Sequence, residues 1–132
     1  MIQIYTTPSC ASCRKAKKWF DQYKIPYSEK NIFSIKLSKE DIYKMLANSE
    51  NGFDDIISTR SKVFKEKHLE PEQMSTNELV EFIIENPSVL KRPIIINENE
   101  LQVGYNNEDI TIFLPKELRN AEQFSGFDKG KK

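Results

Sequence analysis

The fold is decided by the stretch Ile2-Gln3-Ile4-Tyr5-Thr6-Thr7-Pro8-Ser9-Cys10-Ala11-Ser12-Cys13-Arg14. The apolar run Ile2–Tyr5 predicts a buried strand. Apolar side chains then recur at helical spacing from Ala16 to Tyr23, which predicts a helix with one face toward a core. Cys10 and Cys13, the two cysteines of the chain, therefore stand where a strand passes into a helix.

The start of this helix gives the two sulfur atoms different surroundings. The first N–H groups of a helix have no intrahelical partner and carry the positive end of its dipole, so they stabilise a thiolate over a thiol. Cys10 lies at that end, whereas Cys13 lies three residues before Ala16, on or near the apolar face. We therefore expect Cys10 to be the exposed, first-reacting thiolate and Cys13 to be the sheltered, resolving thiol.

Two other roles for the cysteine pair remain open from the residues alone. A structural zinc site usually needs four ligands, and His68 is the only histidine that could join the two cysteines. Two inert buried thiols rarely occur as a C-x-x-C pair directly after a strand. A redox pair is the favoured interpretation, and we predict no metal and no cofactor.

The composition indicates one soluble domain. A length of 132 residues suffices for one core of ordinary size, and 20 Lys and Arg balance 20 Asp and Glu. A protein that binds nucleic acid by itself would normally carry an excess of positive charge. Neither a membrane span of ~20 apolar residues nor a signal peptide is present, so we expect a cytoplasmic protein in which a cysteine disulfide is transient.

Two capping-box patterns mark helix starts in the middle of the chain. Ser38 with Asp41, and Ser75 with Glu78, place a hydroxyl and a carboxylate where they can bond the free N–H groups of a helix start. We expect Asn51-Gly52 to end the first of these helices, because glycine readily adopts the left-handed conformation after a helix C-terminus. Residues from about 50 to 90 are predicted to be an inserted helical segment.

The chain after this insertion predicts a hairpin and a last helix. Ile94–Ile96 is a β-branched run typical of a buried strand, and Leu101–Val103 follows it across a polar turn. Asn106 with Asp109 resembles a third helix start. We place the single domain at residues 1–119 and predict a mobile tail at residues 120–132, which lack periodicity.

Four separated motifs carry a family resemblance that runs from about residue 1 to residue 119. They are Tyr5-Thr6-Thr7-Pro8-Ser9-Cys10-Ala11-Ser12-Cys13-Arg14-Lys15, Ile56-Ile57-Ser58-Thr59-Arg60-Ser61-Lys62, Arg92-Pro93-Ile94-Ile95-Ile96 and Leu101-Gln102-Val103-Gly104-Tyr105-Asn106. In these motifs the chain resembles the Spx regulators, an arsenate-reductase-related branch of thioredoxin-like proteins. The resemblance implies an α/β fold with a mixed, thioredoxin-like β-sheet flanked by helices, in which Pro93 is cis and lies against the cysteine pair.

The resemblance also implies a function in transcription. Spx regulators bind the C-terminal domain of the RNA polymerase α subunit and redirect polymerase during disulfide stress, and oxidation of the cysteine pair switches their activating function. Gly52 matches the family glycine needed for binding this domain, and we assign Lys62 to the same polymerase-binding surface. Arg92 matches an arginine whose surroundings change with redox state. The ordinary alternatives are a helix cap for Gly52, a surface cation for Arg92 and solvated loop charges for Arg60 and Lys62.

Basic residues crowd the first helix. They are Arg14, Lys15, Lys17 and Lys18, and they must face outward, because the apolar stripe occupies the other side of the helix. We consider Arg14, Lys15 and Lys18 for contact with DNA. A solvated helix face is their ordinary role. Together with Arg60 and Arg92, they can also approach promoter DNA when polymerase holds the protein nearby, so we expect DNA binding only in complex with polymerase.

The C-terminal end of the chain concerns its degradation. The resemblance implies an ATP-dependent protease, with its adaptor, that reads the C-terminal end. Here the chain ends in Gly130-Lys131-Lys132, which is more basic and less apolar than we expect for such a signal. We expect a monomer that contacts no membrane.

Two enzyme activities are the alternatives to a regulator. A thiol-dependent arsenate reductase needs a nucleophilic thiolate and several guanidinium groups around an oxyanion, and Cys10, Arg60 and Arg92 could supply part of this. Relatives that reduce arsenate carry His-Asn before the cysteine and a third arginine in the last hairpin, where this chain has Thr6-Thr7 and Gly104. A glutaredoxin-like oxidoreductase is the other alternative. We expect a regulator without catalytic residues.

Overall fold

A four-stranded mixed sheet forms the centre of the protein. A computed structural model describes residues 2–58 and 61–115. The strands are β1 (Ile2–Thr6), β2 (Tyr27–Asn31), β3 (Ile94–Ile96) and β4 (Leu101–Val103). Their order is β2-β1-β3-β4, with β1 parallel to β2 and antiparallel to β3, and with β3 antiparallel to β4. The predicted mixed sheet is confirmed.

Helices flank this sheet. One helix connects β1 to β2, and the others lie in the chain between β2 and β3. The helices are α1 (Ala11–Gln22), α2 (Lys39–Ala47), α3 (Phe53–Ile56), α4 (Lys62–Glu66) and α5 (Thr76–Glu85). Short 3-10 helices lie at Pro71–Gln73, Pro87–Val89 and Asp109–Phe113. The inserted segment is therefore helical, as predicted. In the part of the chain that the structure covers, no helix has the length and apolar character that a membrane crossing requires.

Two apolar clusters hold the sheet from its two faces. Successive side chains of a strand point to opposite faces, and β3 shows this directly, because Ile95 belongs to one cluster and Ile94 and Ile96 to the other. The Ile95 cluster contains the apolar stripe of α1, including Trp19 and Phe20. This packing fixes α1 on one face of the sheet and places its first residue next to the end of β1.

The role predicted for Gly52 as the end of a helix is wrong. α2 ends at Ala47 with Asn48 as its C-cap. The side chains of Asn48 and Ser49 donate to carbonyls of the last turn at 3.0 and 2.7 Å, so this helix end needs no glycine. Gly52 has φ +66° and ψ −132° and precedes α3 as its N-cap. Its φ is positive, but its backbone lies outside the left-handed helical region.

The last predicted helix is a 3-10 helix instead. Asn106 Oδ1 accepts the N–H of Asp109 at 3.0 Å, but the N-cap of this helix is Glu108, which has no side-chain cap. The helix is limited to Asp109–Phe113. Pro115 follows closely, and proline disfavours the helical conformation of the residue before it. The predicted domain end at residue 119 and the predicted tail at residues 120–132 lie outside the described residues.

Both predicted capping boxes form, and one of them reaches into the core. Ser38 Oγ accepts the Asp41 N–H at 3.1 Å, and Ser75 Oγ accepts the Glu78 N–H at 3.1 Å. Asp41 has a further partner, because the hydroxyl of the buried Tyr5 lies 3.0 Å from Asp41 Oδ1. Partial burial acts to raise the pKa of Asp41, but hydrogen bonds from Ser38 and Tyr5 outweigh it and lower this pKa.

We predict that Asp41→Ala lowers the free energy of unfolding by about 2 kcal/mol and that Glu78→Ala lowers it by less. Only Asp41→Ala also removes an acceptor from a buried hydroxyl. Urea denaturation at pH 7 measures both. Because the pKa of Asp41 is lowered by folding, the difference between wild type and Asp41→Asn should shrink as pH falls below about 4. Equal losses for Asp41→Ala and Glu78→Ala would contradict this role.

Candidate functional site

The cysteine pair lies at the N-terminal end of α1. Cys10 is the N-cap residue, with extended backbone, and its Sγ accepts the N–H of Cys13 at 3.1 Å. The chain enters this turn through Ser9, which has φ +64°. The free N–H groups of the helix start therefore face the sulfur of Cys10, where they favour a negative charge.

A disulfide joins Cys10 to Cys13. Their Cα atoms are 5.1 Å apart, within the usual range for a disulfide. The Cys13 side chain is 1% exposed, whereas Cys10 is partly exposed. This difference in burial is the predicted one. The order in which the two sulfur atoms react stays a prediction.

Two cavities meet at the segment Thr7–Cys10. A cavity of about 690 Å³ lies between this segment and Arg92, with Phe33 at its wall. A cavity of about 290 Å³ lies on the other side and is lined by Cys13 and Glu29. Cys10 lines both cavities, so a reactant can approach its sulfur from two directions.

The start of β3 brings a guanidinium group to this site. The Arg92–Pro93 peptide bond is cis, as the family resemblance implies, and the Pro93 carbonyl accepts the Gly104 N–H at 2.8 Å. Arg92 is half-buried and lines the larger cavity together with Cys10. Its Nη1 atom is buried, and no hydrogen-bond partner reaches it from residues 2–58 or 61–115. A cation with unused hydrogen-bonding capacity therefore lies beside the disulfide.

The basic residues predicted on α1 are exposed. Arg14, Lys15 and Lys18 all face solvent, and Arg14 also lines the smaller cavity with both cysteines. Arg60 lies outside the described residues. Of these three residues, Arg14 lines a cavity with the cysteine pair, whereas Lys15 and Lys18 lie further along the exposed face of α1.

Gly52 and Lys62, the two residues assigned to polymerase binding, lie apart from these cavities. Gly52 precedes α3, and a Cβ atom added to it would meet no atom within 4 Å. Lys62 is the exposed first residue of α4. Neither residue is among the described residues that line the two cavities at the cysteine pair. An influence of the disulfide on Gly52 therefore needs a connection through the fold.

Several contacts at the site have no signal in the sequence pattern. Glu29 accepts hydrogen bonds from Thr6 Oγ1 at 2.8 Å and from Lys17 Nζ at 3.0 Å, and so ties β2 to α1. Burial acts to raise the pKa of Glu29, but these two partners outweigh it and lower that pKa. Phe33 is 55% exposed, and its N–H donates to Asn31 Oδ1 at 2.9 Å. The sequence feature that could have pointed to Phe33 as a site residue is its position as an isolated aromatic residue in a polar turn.

Comparison with known proteins finds relatives that match almost the whole chain. A family model described as the ArsC family matches residues 5–113. The global transcriptional regulator Spx of Bacillus subtilis (strain 168) is 49% identical over 122 residues, which are 92% of this chain and 93% of that protein. The global transcriptional regulator Spx 1 of Lactococcus lactis subsp. lactis (strain IL1403) is 44% identical over 128 residues, 97% of this chain and 100% of that protein.

A solved structure shows the same fold. The arsenate reductase from Vibrio cholerae aligns with a TM-score of 0.72 and 22% sequence identity. The alignment covers 86% of this chain and 97% of that one. At this identity the likeness establishes the thioredoxin-like architecture of the sheet and helices, and it leaves the chemistry to the residues of the site.

We predict that the reduced Cys13→Ser variant reacts with iodoacetamide at least about tenfold faster at neutral pH than the reduced Cys10→Ser variant. The remaining sulfur is partly exposed at a helix start in the first variant and buried in the second. Mass spectrometry of quenched samples measures both rates. In urea the two unfolded variants should react alike, which controls for reagent and concentration. Faster alkylation of folded Cys10→Ser would reverse the assignment.

Proposed function

Because the chain belongs to the Spx transcriptional regulators of the ArsC family, we propose that it is a global transcription regulator switched by the Cys10–Cys13 disulfide. The observation that carries the proposal is this disulfide between a partly exposed and a buried sulfur beside Arg92. The bridge closes a loop of very few residues, and such a loop removes little entropy from the unfolded chain. A switching role therefore suits it better than a role in stability.

Oxidation of the pair follows thiol–disulfide exchange. The Cys10 thiolate attacks one sulfur of a small disulfide oxidant, forms a mixed disulfide and releases one thiolate. Cys13 loses its proton to solvent and attacks Cys10 Sγ, which forms the internal disulfide and releases the second thiolate. Two electrons pass from the cysteine pair to the oxidant, and the two released thiolates take up protons from solvent, which balances the protons that Cys10 and Cys13 gave up to it.

The C-terminal domain of the RNA polymerase α subunit is the proposed partner. The relatives are named global transcriptional regulators, and the balanced charge of this chain does not favour independent binding to DNA. Gly52 supports a protein contact because its backbone is exposed to close approach and has a conformation that other residues rarely adopt. Lys62 adds an exposed cation to the proposed surface. We place the monomeric regulator in the cytoplasm, where polymerase acts.

Promoter DNA enters the proposal only through polymerase. Arg14, Lys15 and Lys18 form an exposed basic face on α1, and Arg92 lines the larger cavity together with Cys10. With no net charge, the protein lacks the long-range attraction that drives phosphate binding. Binding to polymerase raises the local concentration of this face near DNA, so that a few contacts suffice.

An arsenate reductase is the second candidate, and it is favoured by Arg92 Nη1 near Cys10, which no hydrogen-bond partner reaches from the described part of the chain. Against it stands Cys13, which is already within disulfide distance of Cys10 and would capture an intermediate formed there. Thr6 is buried and donates to Glu29, so it supplies no base to the sulfur. We therefore propose a regulator without catalytic turnover.

We predict that Gly52→Arg weakens binding to the purified C-terminal domain of the polymerase α chain by at least about 30-fold, as expected for a central interface residue. Arginine strains the backbone at φ +66° and fills the open surface. Isothermal titration calorimetry measures the affinity. Gly104→Ala is the matched control, because Gly104 has φ +81° with equally open space and should retain binding. Wild-type affinity of folded Gly52→Arg would sink the proposed surface.

We predict that the protein alone does not shift promoter DNA in a gel and that it does so with the polymerase α domain present. The shift should weaken as salt rises, because it depends on phosphate contacts. Lys18→Ala should weaken the ternary shift without changing affinity for the α domain. Lys36→Ala, which removes another exposed lysine, is the control. Specific promoter binding by the isolated protein would contradict the proposal.

A further inference from the structure

The short helix that follows Gly52 depends on its neighbours for stability. α3 has four residues, and a helix of this length does not persist by itself. Its last carbonyl groups need donors from elsewhere. The Ser58 N–H, which could continue the helix, instead donates to the Val89 carbonyl at 2.8 Å. The end of α3 is therefore closed by another part of the chain.

Lys91 supplies two of the missing donors. Its backbone N–H donates to the Ile56 carbonyl at 2.8 Å, and its Nζ donates to the Asp54 carbonyl at 3.1 Å. An ammonium group at this position also faces the negative end of the helix dipole. A β-bridge between Ile57 and Leu90 aligns the two segments. Lys91 thus closes the C-terminal end of α3 through both its backbone and its side chain.

At the other end of α3, Asp55 holds the loop that contains Gly52. Its Oδ2 accepts the N–H groups of Glu50 at 2.8 Å and Asn51 at 2.9 Å. The hydrogen bond from the Asn51 backbone is the main cause that lowers the pKa of Asp55, and the charge of Lys91 lowers it further. Because Asp55 belongs to α3, the position of this helix determines the shape of the Gly52 loop.

Lys91 also borders the cysteine site. It lines the cavity of about 690 Å³ beside Cys10 and a separate cavity of about 590 Å³ beside Asp55. Arg92 follows it directly in the chain. A displacement of the Arg92 backbone therefore acts on the Lys91 hydrogen bonds that close α3.

We propose that Lys91 connects the cysteine pair to the Gly52 loop, so that reduction of the Cys10–Cys13 disulfide loosens α3. Reduction by a dithiol transfers two electrons and two protons to the pair, and the dithiol closes to its own disulfide. Cys10 then loses its proton to solvent, and its thiolate attracts the Arg92 guanidinium, whose buried Nη1 has no hydrogen-bond partner among residues 2–58 and 61–115. This movement pulls Lys91 away from α3.

This inference rests on the proposed function, in which the cysteine pair is the switch and the Gly52 loop contacts polymerase. It makes Lys91 a positioning residue for the Gly52 surface. The contacts that support it are all within this chain, so it can be tested without polymerase. Failure of polymerase binding and failure of the internal connection are therefore separate results.

Amide hydrogen exchange of the full chain, followed by NMR in oxidised and dithiothreitol-reduced samples, tests the connection. The amides of Asp55, Ile57 and Lys91 all donate hydrogen bonds in or next to α3. In wild type, reduction should speed their exchange about fivefold. Lys91→Met keeps the backbone N–H but removes the ammonium. In this variant the ratio of the exchange rate in the reduced sample to that in the oxidised sample should fall below about twofold. Lys65→Met, which removes an exposed lysine of α4, should keep the wild-type ratio.

The proposal would be overturned if reduction speeds exchange in Lys91→Met as much as in wild type, or if it does not speed exchange in wild type. Arg92→Met provides a second variant if Lys91→Met does not fold. It should abolish the difference in exchange rate between the oxidised and reduced samples, because it removes the guanidinium that responds to the Cys10 thiolate. A normal ratio in Arg92→Met would also overturn the proposal. A redox ratio that depends on Lys91, in a protein that does not bind the α domain, would support the connection and remove the polymerase assignment.

Discussion

The packing of α1 against the sheet is the constraint on which the cysteine site depends. A helix of 12 residues is marginal by itself in water. Trp19 and Phe20 are buried against β3, and each buried aromatic side chain contributes about 1.5–3 kcal/mol. The ion pair between Lys17 and Glu29 ties the same helix to β2. Because α1 is held in this way, its free N–H groups remain directed at Cys10.

In the proposed switch, the charge on Cys10 is the signal that changes with the redox state of the pair. The disulfide form has no charge, whereas a thiolate formed on reduction in the proposed switch would lie at the helix start, in the cavity that Arg92 also lines. Surface electrostatics are screened over about 10 Å at ordinary salt, so such a charge acts mainly on its neighbours. A distant effect on the Gly52 surface therefore requires packed and hydrogen-bonded elements between the two. The segment from Val89 to Arg92 is such an element, since it bonds α3 at one end and borders the cysteines at the other.

The site also shows how a reductase architecture can support a regulator. The fold, the cysteine at the helix start and Arg92 suit an oxyanion site, but Cys13 lies close enough to form a bridge with Cys10. A resolving cysteine in this position favours a stable two-state pair over turnover with external thiols. The same fold can therefore host either function, and the residues around the sulfur decide between them.

The sequence by itself determined the local features of this protein. The helix start at Cys10 and the capping boxes at Ser38 and Ser75 were predictable, because their interactions join residues within one helical turn. Strands β1, β3 and β4 followed from the apolar character of their residues, and the mixed sheet followed from the family motifs. The 3-10 form of the last helix was not predictable from periodicity, since proline and local packing limit its length.

Only the tertiary structure decided how the distant parts meet. Gly52 was recognised as a special backbone position, but its place before α3 depends on side chains that close α2 earlier. Glu29 meets Thr6 across 23 residues, and Lys91 meets Asp54 across 37. The order of the strands and the route of the inserted helices bring these pairs together. The physical reason is that caps and periodicity report interactions between near neighbours in the chain, whereas these contacts exist only after the sheet and its helices have packed.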